Sequence, residues 1–378
     1  MIIYWFMFFS CTLIAYFSQR RRVKIPNALG ETVYKPNVAL AIMSAIPLVF
    51  FVGVRGYMAD TTAYIKSFED MNTEFIKDVL KNPGEYKDIG FKIFTYLVKS
   101  VIDNYTVWLF IIAIFCVACI WICFYKHSDS FTFSVFLYFG TTAFAWLFNG
   151  MRQYIAVSAL FLMFPLVIKT GDRKKDFWRF VLFILFDLFL ATFHFSALIA
   201  IPLFFLCRGR LFGRLHMLAI AIITIGSTMV DPVVNFVNEV FGDTQYSGVI
   251  EDMNYAEGSN VIRLIVACVP VFLAVYRLRR VKEMNDPTFN FCLNMSLFNV
   301  CLMVPATIIS GNQFARIAEY CNMFNLLLYP MVVDRLYAGK VNKLLKIAIV
   351  AVYVFWFYYQ MDVTSGGEYS SRIIGTFS

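Results

Sequence analysis

The sequence predicts an all-α fold, a polytopic transmembrane bundle of about 12 spans with its N-terminus outside, and three observations predict it. Of the 378 residues, 60% are hydrophobic and 15% charged, whereas a soluble domain carries roughly 25% charged residues. Mean hydropathy is +0.67. Apolar runs recur from end to end at close to the roughly 20 residues that cross a bilayer as a helix.

The runs fall near 2–18, 38–54, 107–125, 130–148, 151–168, 177–193, 196–207, 215–231, 261–276, 289–309, 317–333 and 347–359. The first has no basic residue ahead of it and Arg20, Arg21, Arg22 and Lys24 behind it. That polarity marks an anchoring span rather than a cleaved signal, and it puts the N-terminus outside. The seventh and twelfth runs are short, so each is extended by its neighbours, tilted or re-entrant. With this start, 22 of the 33 Lys and Arg lie in or beside the segments facing the cytoplasm, around Arg20, Lys126, Arg173, Arg208, Arg277 and Arg335. The net charge of +8 thus belongs to inner anchoring loops, which argues against a nucleic-acid partner.

The chain reads as a single integral membrane domain, residues 1–378, with outer loops near 55–106 and 232–260. In the first loop Phe91, Phe94, Val98 and Val101 recur at helical spacing beside Lys92 and Lys99. This suits an amphipathic helix, either lying at the membrane interface or packed on the bundle. All nine cysteines sit in or at the ends of apolar runs. Cys116, Cys119, Cys123 and His127 have a spacing that imitates a metal site, but buried cysteine usually packs as a small hydrophobe. No disulfide framework, metal or cofactor is expected.

Basic residues at the outer ends of spans break the positive-inside pattern. Arg55 closes the second span, Arg152 opens the fifth after Asn149-Gly150, Arg263 lies near the start of the ninth, and Arg316 opens the eleventh after Asn312. Each can snorkel or form a structural ion pair. Several at one depth also suit an anion at headgroup level, a diphosphate above all, because guanidinium stays charged and offers phosphate a planar fork. His194, in Ala191-Thr-Phe-His194-Phe-Ser196-Ala197, is the one outward-facing histidine of three, either a hydrogen-bonded structural residue or a proton acceptor. Asp187 lies seven residues earlier, nearly two turns, so the two share a helix face about 10 Å apart. Asp60 follows Arg55 closely, as a local salt-bridge partner or as a group that binds or deprotonates a sugar hydroxyl. Tyr64, Phe68 and Asp88 add the mixture of rings and carboxylates found in saccharide sites.

At these residues the chain resembles the EpsG family, a branch of the Wzy-type polymerases of O-antigen, capsule and exopolysaccharide. The resemblance rests on Val54-Arg55-Gly56 through Asp60-Thr61 and Tyr64, on Asp88-Ile-Gly90-Phe91, on Asn149-Gly-Met-Arg152-Gln153, on Phe193-His194-Phe-Ser196-Ala197, and on Arg316 with Tyr320. Met58-Ala59 and Asp88 depart from the Gly-rich and Glu-containing forms. The resemblance implies a GT-C-like glycosyltransferase of the bacterial plasma (inner) membrane. Its substrates would be undecaprenyl-diphosphate-linked glycans, and a Wzz-type chain-length regulator a possible partner beside the membrane lipids. It implies Arg152 and Arg316, helped by Arg55 and Gln153, on the diphosphate, and His194 or Asp60 as base. Thr61, Tyr64, Asp88, Asn149, Asn312 and Tyr320 would shape the saccharide pocket, with no metal required. A lipid-linked oligosaccharide flippase, a glycosyltransferase using a lipid-phosphate sugar and an acyltransferase are the competing readings.

Overall fold

The computed structural model describes residues 1–26, 32–56, 60–83, 86–226, 259–308, 311–365, 368–371 and 373–377. The expected outer loop at 232–260 lies almost wholly outside them. In chain order the helices begin with α1 (Ile2–Arg20); the hairpin β1 (Val23–Pro26) and β2 (Thr32–Lys35) follows. Next come α2 (Val38–Met43), α3 (Ile46–Gly53), α4 (Thr61–Glu69), α5 (Thr73–Lys81), α6 (Ile89–Val101), α7 (Tyr105–His127), α8 (Phe131–Gly140) and α9 (Met151–Met163). The remainder is α10 (Arg173–Ala191), α11 (Ala200–Cys207), α12 (Arg214–Gly226), α13 (Val261–Tyr276), α14 (Leu278–Met284), α15 (Pro287–Ile308), α16 (Gly311–Asn322), α17 (Asn325–Leu336), α18 (Gly339–Tyr358) and a second hairpin, β3 (Tyr369–Ser371) with β4 (Gly375–Phe377).

The chain is thus an all-α membrane protein carrying two small hairpins that apolar periodicity does not reveal. Among the described residues four helices are long and apolar enough to cross a bilayer: Ile2–Arg20, Tyr105–His127, Pro287–Ile308 and Gly339–Thr364. The pair α13 and α14 passes the same test together but bends by 71°. Other expected spans are broken. The second is α2 and α3 with a step at Ser44, whose hydroxyl donates to Ala41 O and accepts from Trp121 Nε1. The fourth stops at Gly140, turns through Thr142 at φ 62, and resumes as a 3-10 turn over Ala143–Leu147. The seventh opens as a 3-10 turn, Phe195–Ile199, before α11, and the twelfth is lengthened at both ends. The amphipathic segment is α6. Phe91 is buried against Trp108 and Tyr64, and Lys99 Nζ caps α4 through Phe68 O and Glu69 O at 2.9 and 2.8 Å.

The chain folds as two compact units, one of Met1–Leu80, Gly90–Leu162 and Val333–Ser378, the other of Lys81–Ile89 and Met163–Val332. In the first, α1 packs on α3 and α8, α3 on α7, and α8 also on α18. Helix α1 also serves as a ruler. Tyr4, near its start, donates to Glu368 O, whereas Gln19, near its end, bonds Ser130 and Thr132. At 1.5 Å per residue those contacts lie about 22 Å apart. Basic residues gather at the Gln19 end: Lys35 donates to Lys126 O, Arg335 grips Asp129 through two nitrogens, and Lys346 pairs with Asp334. Residues 51–56 gather at the Tyr4 end through their bonds to the C-terminal strand, and Thr61 and Phe148 join them by a bond to each other and through Arg55.

In the second unit α15 is central, with α11, α12, α13 and α16 against it. Phe204, Phe291 and Phe324 meet with ring centroids 5.2 to 5.6 Å apart. Asn294 on α15 holds the turn after α11, donating to Cys207 O at 3.1 Å and accepting from Phe212 N.

Helices α3 and α7 approach so closely that a Cβ on Gly53 would lie 2.4 Å from the Phe110 ring. Gly53→Ala is expected to destabilise by about 1–3 kcal/mol, read as a lowered melting temperature in detergent. Gly209→Ala, whose added carbon meets nothing closer than 3.6 Å, is the unchanged control.

Candidate active site

Helix α3 ends where the chain leaves the bundle, so its last carbonyls need partners from elsewhere. Three of them find one: Phe51 O accepts from Tyr369 Oη at 2.7 Å, Val52 O from Arg55 Nη1 at 2.7 Å, and Val54 O from Ser371 Oγ. Gly56 N adds a bond to Ser370 O at 2.8 Å. Arg55 is 1% exposed. Its Nε donates to Thr61 Oγ1 at 3.0 Å, its Nη2 meets Met151 Sδ at 3.2 Å, and the guanidinium lies 5.4 Å from the Phe148 ring centre. Thr61 in turn donates to Phe148 O at 3.1 Å. This buried arginine therefore joins the ends of α3, α4 and α9.

That joint presents Asp60 and Arg152. Asp60, at the start of α4, accepts from Gly150 N at 3.2 Å, so the carboxylate is held by a backbone amide, while Arg55 bonds Val52, Thr61 and Met151. The Asn149-Gly150 turn permits this because Gly150 sits at φ 62, where a side chain is strained, and a Cβ there would press on Trp146 at 3.2 Å. Arg152, in the first turn of α9, lies over the Tyr64 ring at 5.6 Å. Asn149 is exposed in the turn, and Gln153 is buried beside Arg152. In the first unit, then, Arg55, Asp60, Thr61, Tyr64, Asn149, Arg152 and Gln153 fall in one neighbourhood.

The second unit assembles another group. Helix α10 stops at Ala191, and His194 has extended backbone at φ −157 and ψ 116. The helical register that would set Asp187 beneath His194 therefore ends before reaching it. The acid beside His194 is Asp88: its Oδ2 lies 3.5 Å from His194 Nδ1, and its Oδ1 accepts from Phe195 N at 3.3 Å. Asp88 has φ 55, a left-handed conformation that aspartate tolerates better than most residues. Its side chain is 6% exposed and that of His194 24%, so the acid is enclosed and the imidazole open. One residue on, Ser196 Oγ bonds Tyr320 Oη at 3.0 Å, which brings α16 to the same place. Arg316 lies one turn before Tyr320 on α16. Glu319, buried between them in sequence, is an electrostatic partner of Arg263. The side chain of Asn312 lies outside the described residues.

Sequence reasoning missed Tyr369 and Ser371, because nothing in residues 368–371 marks them as partners of residues 51–56. It also missed that Met151 and Phe148 complete the surroundings of Arg55.

Together these features define a class: an all-α membrane protein whose arginines and acid–imidazole pair lie where helices end. The EpsG family matches residues 38–371, and the chain belongs to it. It is a glycosyltransferase-like membrane family of polysaccharide biosynthesis. The match runs from the first residue of α2 to Ser371. No curated protein and no solved structure matches the chain.

Arg55 and Arg152 should separate on mutation. Arg55→Met leaves Val52 O and Thr61 short of a buried partner, a loss of about 1–3 kcal/mol for each group left unsatisfied. Arg152→Ala removes a ring contact of about 0.5–1 kcal/mol. Thermal unfolding in detergent should show a marked drop for the first variant and a small one for the second.

Proposed function

We propose that the protein is a polymerase of undecaprenyl-diphosphate-linked oligosaccharide repeat units at the outer face of the bacterial plasma membrane. The observation that carries this reading is His194, open on one side and backed by Asp88 on the other, in the same unit as Arg316. A carboxylate at Nδ1 holds the imidazole with Nε2 free to take a proton. An acceptor sugar hydroxyl loses its proton to Nε2 as its oxygen bonds to the anomeric carbon of the growing glycan. The bond from that carbon to the diphosphate breaks, and its electron pair leaves on undecaprenyl diphosphate.

Arg316, in the same unit as His194, neutralises that departing charge, and Arg152 is the corresponding phosphate-binding cation of the first unit. Arg152 lies in the first turn of its helix, whose dipole favours an anion there. Arg55 contributes by position, fixing Thr61 and the start of α9. Tyr64, Asn149 and Gln153 in the first unit, and Asn312 and Tyr320 in the second, are the groups proposed for sugar contacts, and Asp60 holds a sugar hydroxyl. Diphosphate is already a good leaving group, so cationic side chains take the place of a metal. On this reading residues 1–378 form one membrane domain of about 12 spans with a GT-C-like arrangement, its substrates arrive laterally from the lipid, and a Wzz-type regulator limits chain length.

The purified protein, given a matched repeat unit on undecaprenyl diphosphate in EDTA with no partner, should yield a glycan ladder on a gel. Arg152→Ala, Arg316→Ala and His194→Ala should each slow it by about 10²-fold or more. An intact substrate with folded protein, or a ladder indifferent to all three changes, contradicts the proposal.

A further inference from the structure

Helix α13 ends at Tyr276, and the chain bends by 71° at Arg277 into α14 before Asn285, at φ 44, returns it to α15. Helix α14 therefore turns sharply away from the line of α13. Val281 is fully buried and pins α14 down. Arg279, Arg280 and Lys282 are exposed around it, and Arg279, at 94% exposure, makes only a surface pair with Glu283. Such a pair contributes little in solvent.

The apolar stripe leading to this bend is a second, separate feature. Ile265, Phe272, Val275 and Tyr276 are all exposed along α13, with Phe272 at 67% and Tyr276 at 69%. Their spacing places them along one side of the helix. Tyr276 closes the stripe with Arg277 5.5 Å over its ring. An apolar strip, then an amphipathic ring, then exposed cations repeats in order the acyl chain, interface and headgroup of one lipid.

We infer that the α13–α14 bend is a binding site for an anionic phospholipid, the acyl chain along the α13 stripe and the headgroup phosphate on Arg279, Arg280 and Lys282. The charge tally of the sequence puts this bend at the cytoplasmic leaflet, whereas the proposed reaction takes place at the outer face. The lipid is therefore not the glycan-carrying substrate, and the inference stands whether or not the polymerase reading does. Anionic headgroup attraction amounts to roughly fivefold in affinity for each basic residue near the surface.

Native mass spectrometry of the full chain in detergent, titrated with phosphatidylglycerol or phosphatidylcholine, tests this. Wild type should hold phosphatidylglycerol at least tenfold more tightly, and Arg279→Gln/Arg280→Gln/Lys282→Gln should lose most of that preference at an unchanged melting temperature. Arg20→Gln/Arg21→Gln/Arg22→Gln, which removes as much charge elsewhere, should keep it. Lys282→Gln alone, on an exposed position, carries the test if the triple variant does not fold, with an expected drop of several-fold. Equal binding of the two lipids, no binding of either, or an equal loss in both triple variants overturns the site.

Discussion

A guanidinium buried where α3 ends is the interaction on which the presented face of the first unit depends. Burying an unpaired charge is costly enough that it survives only when its donors are satisfied. Arg55 meets that condition with a helix carbonyl, a threonine hydroxyl, a methionine sulfur and an aromatic face, drawn from chain segments almost 100 positions apart. The same carbonyl row is closed from outside by Tyr369 and Ser371, so the last strand is part of this joint. With α3, α4 and α9 fixed together, Asp60 can rest on the Gly150 amide and Arg152 on the Tyr64 ring. A charged group in a membrane bundle thus serves as a positioning element, while its neighbours remain at the surface for chemistry.

Much of this was legible in the sequence, because apolar length is a local property. Among the described residues the apolar runs are mostly helical, and the motifs around Arg55, Asn149 and His194 mark the neighbourhoods that form. The breaks were less legible. Ser44 and Thr142 interrupt apolar runs through side-chain and backbone geometry that hydropathy does not register. The acid beside His194 shows why spacing can mislead: Asp187 is the nearer in sequence, but α10 ends first, and Asp88 reaches the imidazole from 106 positions away. Pairing between distant segments is a tertiary property. The C-terminal strand was illegible for the same reason, since Tyr369 and Ser371 bond carbonyls more than 300 positions away in the chain.

Membership of the EpsG family and the side-chain chemistry lead to the same kind of reaction by different routes. Transfer from a lipid diphosphate asks for cations on the leaving group and a base on the acceptor, with little demand for a nucleophile of the protein's own. On the proposed reading Arg152, in the first turn of α9, and Arg316, on α16, are the cations, and the imidazole beside Asp88 is the base. The basic residues with Lys35, Lys126 and Arg335 lie at the other end of α1 from the Arg55 joint, as a chain oriented by its positive charge requires.

The account turns on which side of the membrane that joint faces, and site-specific labelling reads this directly. The native cysteines are buried or half-buried, so an introduced one dominates the signal. Ser67→Cys lies on the exposed face of α4, close to Asp60, and Lys340→Cys is exposed at the opposite end. In right-side-out membrane vesicles a membrane-impermeant maleimide should label the first at once and the second only after the vesicles are opened. Labelling in the reverse order would put Arg55, Asp60 and Arg152 in the cytoplasm and contradict the proposed function.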